Sequence, residues 1–183
     1  MALTESSMQT LGANAPAFAL PDFAGQLHDL AEFQQAPALV VAFICSHCPY
    51  VKHVRSGFAQ FAREYQARGV AVVGIMSNDL GSHPQDGPEG MRAEAAEAGY
   101  TFPYLLDRTQ DVARAFGAAC TPDIFLYDKA RRLAYRGQFD NSRPGNGKPV
   151  TGADLRAACD AVLSGKPAPA EQKPSIGCNI KWR

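Results

Sequence analysis

The chain has 183 residues, 46% of them apolar, enough to bury one good core and to form a single domain. Its 18 Lys and Arg balance 18 Asp and Glu, so no basic field exists to hold a nucleic-acid backbone or an anionic membrane, and neither is expected as a partner. No apolar run approaches the length of a membrane span, and the N-terminus lacks a basic segment leading into an apolar one, so a cytoplasmic location is expected. In that compartment a close cysteine pair means metal binding or redox catalysis, and five cysteines, an odd number, argue against a fully paired disulfide scaffold.

In chain order, "ALVVAFI" (38–44) is continuously apolar and β-branched, as a strand buried on both faces should be. Val51, Val54, Phe58, Phe61 and Tyr65 then recur at steps of three and four, which predicts an amphipathic helix opened by Pro49 and stopped by Gly69. "VAVVGIM" (70–76) reads as a second buried strand. Pro88 opens a helix with Met91, Ala95 and Ala98 on one face, and "FPYLL" (102–106) reads as a short strand. Thr109 is placed to cap a short helix carrying Val112, Ala115 and Phe116, ending at Gly117. "DIFLYDKARRLAYRGQF" predicts an antiparallel hairpin turning at 128–131. Thr151 with Asp154 makes a capping-box-like start for a last helix through Leu163. The expected architecture is an α/β sandwich with a mixed sheet over residues 1–165. Residues 166–183 follow as a tail: a proline-spaced linker, then "SIGCNIKW", whose Ile180 and Trp182 call for docking on the same domain.

The chemistry concentrates in "FICSHCPYVKH" (43–53). Cys45 falls at the end of a buried strand and Cys48 at the mouth of a helix, where unpaired N–H groups and the helix dipole favour a thiolate. The C-x-x-C spacing lets the two sulfurs reach bonding distance without distorting the first turn. Cys45 is expected to be exposed ahead of the helix, with Cys48 shielded by Pro49 and Tyr50.

The strand–"CSHCP"–helix unit, the later "CTPDIFLYD" and the hairpin–helix ending resemble the thioredoxin fold over roughly residues 12–165. The opening "NAPAFALPDFAGQLHDL" resembles its redoxin branch, the alkyl hydroperoxide reductase and thiol-specific antioxidant group. The ending "PSIGCNIKW" is similar to that of a bacterial subgroup of thioredoxin-like proteins with no settled activity. The resemblance implies a three-layer α/β sandwich with a central mixed sheet and an N-terminal extension. It also implies a thiol–disulfide oxidoreductase without a cofactor: Cys45 attacks, Cys48 resolves, and Thr121 with a cis-Pro122 aligns an extended substrate. The implied partners are a disulfide-containing protein or small-molecule disulfide, and a dithiol reductase as electron donor. Two features depart from thioredoxin. Ile44 stands for the Trp before the first cysteine, and Leu39 for the buried Asp that assists the resolving thiol, which leaves that proton acceptor unnamed. His47 is either a site-tuning residue, as in the disulfide-forming oxidases, or a solvated residue at the helix start.

Two rival readings use the same residues. In a peroxiredoxin-like peroxidase Cys48 would be the attacking thiol, but Cys45 then replaces the expected Thr and Pro122 the expected Arg, which together polarise the peroxide bond. A non-catalytic metal site would draw on Cys45, Cys48, Cys120 and Cys178, although no second tight ligand pair exists and no resident metal is expected. Tail docking near Pro122 would bring Cys178 toward Cys120 as a second dithiol to relay electrons or protect the site, with a Cys120–Cys178 or Cys48–Cys178 crosslink as its mark; the alternative is docking elsewhere, with Cys178 incidental. Cys159 reads as an inert core thiol; His28, His53 and His83 read as surface residues. "NDLGSHPQDGPEG" (78–90) is a loop placed to rim the site, and "RPGNGKP" is turn chemistry, not a phosphate loop.

Overall fold

The computed structural model describes residues 3–183. Along the chain run β1 (Leu3–Glu5), β2 (Ala19–Pro21), β3 (Leu27–Asp29), β4 (Leu39–Phe43), α1 (Pro49–Gln66), β5 (Ala71–Met76), α2 (Pro88–Ala98), β6 (Tyr104–Leu106) and α3 (Asp111–Phe116). Then come β7 (Cys120–Thr121), β8 (Asp123–Tyr127), β9 (Leu133–Gly137), α4 (Ala153–Leu163) and β10 (Ile176–Asn179). The main sheet has the order β6-β5-β4-β8-β9, with β4, β5 and β6 parallel and β8 and β9 antiparallel to their neighbours.

Strand β4 lies at the centre of this sheet and all five of its residues are fully buried, which is why its sequence shows no alternation. Its side chains still alternate in direction. Val40 and Ala42 pack with Val51, Phe58 and Phe61 of α1, Met91 of α2 and Leu155 of α4. Leu39, Val41 and Phe43 face the other way, against Val112 and Phe116 of α3 and Phe18 of the N-terminal segment. Helices on both faces of a mixed sheet give three layers. The sheet thus presents the end of β4 and the start of α1 at one end of its strands, which is where the cysteine pair lies.

Two helix starts are held differently from the sequence expectation. At α3, Asp107 accepts from the backbone N–H of Ala113 at 2.8 Å, a stronger hold than that of Thr109, whose hydroxyl is 3.4 Å from Asp111 N. At α4, Asp140 accepts from the N–H groups of Thr151 and Gly152 at 2.7 and 2.6 Å. Asp107 lies a few residues ahead of the N-cap position and Asp140 about a dozen residues before α4, so neither acid sits where a local capping rule looks. A further structural surprise lies on α2, where Glu94, not Ala98, takes the buried face with Met91. The Tyr104 hydroxyl donates to its carboxylate at 2.8 Å.

Burial pushes the Glu94 carboxyl up to about 7, against the pull of its two tyrosine hydroxyls. A carboxyl raised on folding contributes stability that is complete below its ordinary range and is lost as pH rises through about 7. Urea titrations of Glu94→Gln and the parent should therefore diverge between pH 5 and 8, the variant gaining up to about 3 kcal/mol relative to the parent. A gap independent of pH would contradict this reading of Glu94.

Candidate active site

Cys48 is the N-cap of α1 and Pro49 its first helical residue. Both thiols are buried, Cys45 at 1% exposure and Cys48 at 0%, so the expectation of an exposed Cys45 is not met. The Thr121 hydroxyl lies 3.5 Å from the Cys45 sulfur and the His47 Nδ1 lies 3.8 Å from it. The Cys48 sulfur lies 2.9 Å from that of Cys178 and 3.2 Å from the Thr121 carbonyl.

The two active-site thiols do not share charge equally. The Cys45 thiol donates to Cys48, as do Cys178 and the Val51 N–H of the helix start, and these hold Cys48 down to about 4 against the cost of burial. The Thr121 carbonyl is the one near contact that opposes a thiolate there. Cys45 is pushed well above the usual thiol range by donating to Cys48, by burial and by the nearby Asp86 carboxylate. Of the pair, Cys48 is the thiol held down and Cys45 the one pushed up.

Asp86, fully buried, organises the outer side of the site. It accepts from the Ser46 hydroxyl at 2.9 Å, the His47 N–H at 3.2 Å, His47 Nδ1 at 2.6 Å and the Asn78 side-chain amide at 2.9 Å. His47 is therefore held by a carboxylate and stacked on His83, whose ring centroid is 4.9 Å away, rather than solvated at the helix start. His83 is likewise at the site. His28, also expected at the surface, is buried between Asp22 and Glu32, and His53 meets the Ser142 hydroxyl at 2.7 Å.

The third wall is the loop before β8. The Thr121–Pro122 peptide is cis. Strand β7 at its front is paired with β10, so the tail docks here, with Cys178 opposite Thr121 and Asn179 opposite Cys120. The register corrects the Cys120–Cys178 pairing: the Cys120 sulfur lies 3.6 Å from the Pro122 carbonyl, and Cys178 meets Cys48 instead. Burial raises Cys120 strongly, and it pushes the core thiol of Cys159 up to about 12. Ile180 is buried as expected, but Trp182 is 41% exposed, with the Arg114 guanidinium over its ring at 5.1 Å. The strand edge of Thr121, read from the sequence as the place where substrate aligns, is occupied by the chain's own tail.

A model of the AhpC/TSA family matches residues 11–136. The chain belongs to that family. Its named relatives divide between two activities. It is 29% identical over 116 residues, 63% of this chain and 69% of the relative, to a provisionally named peroxiredoxin of Mycobacterium tuberculosis. It is 27% identical over 126 residues, 69% of this chain and 68% of the relative, to the thiol-disulfide oxidoreductase ResA of Geobacillus thermodenitrificans. The crystal structure of a hypothetical protein from Sinorhizobium meliloti matches with a TM-score of 0.97 at 58% identity, covering 98% of both chains. A thioredoxin-family thiol:disulfide interchange protein of Chlorobium tepidum matches with a TM-score of 0.65 at 19% identity, over 85% of this chain and 99% of that one. The fold is thioredoxin-like.

Cys48 has the thiolate character, yet no guanidinium among the described residues bonds either active-site sulfur. A four-thiolate metal site is not assembled, because Cys120 bonds within its own loop. Donor atoms of Cys45, His47 and Asp86 do come within 4.8 Å of one another, a mixed set of types that zinc accepts. The Asp86 oxygens, however, are already taken by Ser46, His47 and Asn78 donors, while the buried His47 Nε2 has no hydrogen-bond partner among the described residues. Asp86 and Asn78 are the site residues that sequence reading missed by name. Their only signal was a loop flanked by a buried strand and a helix start.

Proposed function

We propose that this protein is a thiol–disulfide oxidoreductase that works through the Cys45–Cys48 dithiol. The observation that carries the reading is the placement of both sulfurs against the cis-proline loop, Cys45 3.5 Å from the Thr121 hydroxyl and Cys48 3.2 Å from the Thr121 carbonyl, with Cys48 the thiol held down and Cys45 the one pushed up. In the oxidised protein a substrate thiolate attacks Cys45, the Cys45–Cys48 bond breaks, and Cys48 leaves as a thiolate. A low-pKa thiol leaves faster, so the site favours this step. In reverse, the Cys48 thiolate attacks Cys45 of the mixed disulfide and expels the substrate thiolate. That step needs no buried acid to deprotonate the resolving thiol, which accounts for Leu39 in place of an Asp. The substrate class is a protein or small-molecule thiol or disulfide, and a dithiol reductase closes the cycle.

Cys48→Ser, treated with glutathione disulfide, should accumulate a mixed disulfide on Cys45, whose thiol is eased once its charged neighbour is gone. Cys45→Ser should form no substrate adduct. A second reading, peroxide reduction by Cys48, is favoured by its thiolate character alone. Adduct formation on Cys48 in Cys45→Ser, with peroxide turnover approaching about 10⁷–10⁸ M⁻¹s⁻¹, would replace the first reading by the second.

A further inference from the structure

The tail strand β10 is built into the site with a fit that a loose cover would not need. It lies between β1 and β7, pairing antiparallel with both. Gly177 passes so close to the cis-proline loop that a Cβ there would fall 1.9 Å from the Thr121 carbonyl oxygen. Beyond β10, Asn78 accepts from the Lys181 N–H at 2.9 Å, and Gln110 donates to the Lys181 carbonyl at 2.7 Å. The strand thus takes the edge on which an extended substrate would align, and it carries a cysteine opposite Thr121.

That cysteine is 3% exposed, and its sulfur reaches Cys48 at 2.9 Å. Cys48 accordingly has two thiol neighbours, Cys45 and Cys178. The N–H groups of the α1 start serve both inner sulfurs, Val51 toward Cys48 and Tyr50 toward Cys178.

We infer that Cys178 is a third exchange thiol, which takes Cys48 out of the Cys45–Cys48 disulfide and bonds it to the tail. The inference rests on the proposed Cys45–Cys48 chemistry. Cys178 loses its proton to solvent and attacks the Cys48 sulfur. The Cys45–Cys48 bond breaks, Cys45 leaves as a thiolate and takes up a proton, and a Cys48–Cys178 bond forms. No electrons are gained or lost in this step; the oxidising equivalents have already entered from the disulfide substrate. Burial and the Cys48 thiolate together push Cys178 up to about 12. The second of these causes disappears when Cys48 is in a disulfide, so the attacker is eased when it is needed. The product fastens β10 to the Thr121 edge and returns Cys45 to the thiol state. Oxidation through Cys45 would then be coupled to covalent locking of the strand that already covers the substrate edge.

The test is disulfide mapping of the unaltered full-length protein. After equilibration with glutathione disulfide, acid quench, alkylation and proteolysis, a Cys48–Cys178 peptide should appear alongside the Cys45–Cys48 peptide. In Cys45→Ser, which lacks the thiol through which the oxidising equivalents enter, neither a glutathione adduct on Cys48 nor a Cys48–Cys178 peptide should form, and a Cys48–Cys178 peptide there would overturn the route through Cys45. A complete Cys45–Cys48 disulfide with Cys178 fully alkylated would overturn the inference and leave the proposed dithiol standing. Absence of the Cys45–Cys48 peptide in the unaltered protein would instead overturn the dithiol reading on which the inference rests.

Discussion

Arg136→Met is expected to destabilise the protein by about 3–5 kcal/mol, read as a lowered urea midpoint at unchanged slope. Arg136 and Asp123 are both fully buried and joined at 2.9 Å. The same guanidinium donates to the Gly117 carbonyl at 2.9 Å and lies 4.4 Å from the Phe125 ring centroid. Asp123 in turn accepts from the Ala119 N–H at 2.9 Å. These contacts fix the segment from Gly117 to Asp123, which carries Cys120, Thr121 and Pro122 to the sulfurs. Burial already pushes the Asp123 carboxyl up, so removing its partner leaves a charge that the site cannot solvate. Removing both charges, in Asp123→Leu with Arg136→Met, should recover most of the loss, because two desolvation penalties vanish together. A single-variant cost under about 1 kcal/mol would show that the pair does not hold the loop.

Gly177→Ala is expected to release the tail without unfolding the domain. The added methyl would stand 1.9 Å from the Thr121 oxygen and 2.7 Å from its carbonyl carbon, both backbone atoms that cannot rotate away. Strand β10 must therefore separate from β7, and β1, which pairs with β10, loses its partner. Ile180 would be returned to water, a loss of roughly 1.5–3 kcal/mol for one large side chain. The chemical consequence is specific. Cys48 loses the Cys178 donor, so its thiolate absorbance should titrate at a higher pH than in the parent protein. Amide exchange should accelerate from residue 176 to 179 while β4 and β5 keep their protection. An unchanged Cys48 titration with a demonstrably released tail would show that Cys178 contributes nothing to the charge.

The main sheet was legible because its strands report their own burial. A five-residue run without alternation can only be a central strand, and the α1 stripe of Val51, Val54, Phe58, Phe61 and Tyr65 is buried in full. The cysteine pair and its helix start were legible for the same reason, as local features of ten consecutive residues. What stayed hidden is non-local. Asp86 comes to His47 across 39 residues, and Cys178 to Cys48 across 130, and no spacing rule reaches that far. Exposure of Cys45 was misjudged because strand and helix alone would leave it open; Thr121 and His47 close around it. In the tail, a strand's register cannot be derived from one chain segment without its partner, and the register decides which cysteine meets which.

The most direct test of the central claim is the reduction potential of the Cys45–Cys48 couple, measured in Cys178→Ser so that only one disulfide can form at Cys48. Thiolate stabilisation at Cys48 favours the reduced state, which makes the disulfide a better oxidant. Equilibration against glutathione buffers, with alkylation and mass analysis, should give a single two-electron transition. It should lie above the potential of about −270 mV typical of thioredoxin. A transition below that value, or Cys45 and Cys48 both fully alkylated across the whole range, would contradict the account.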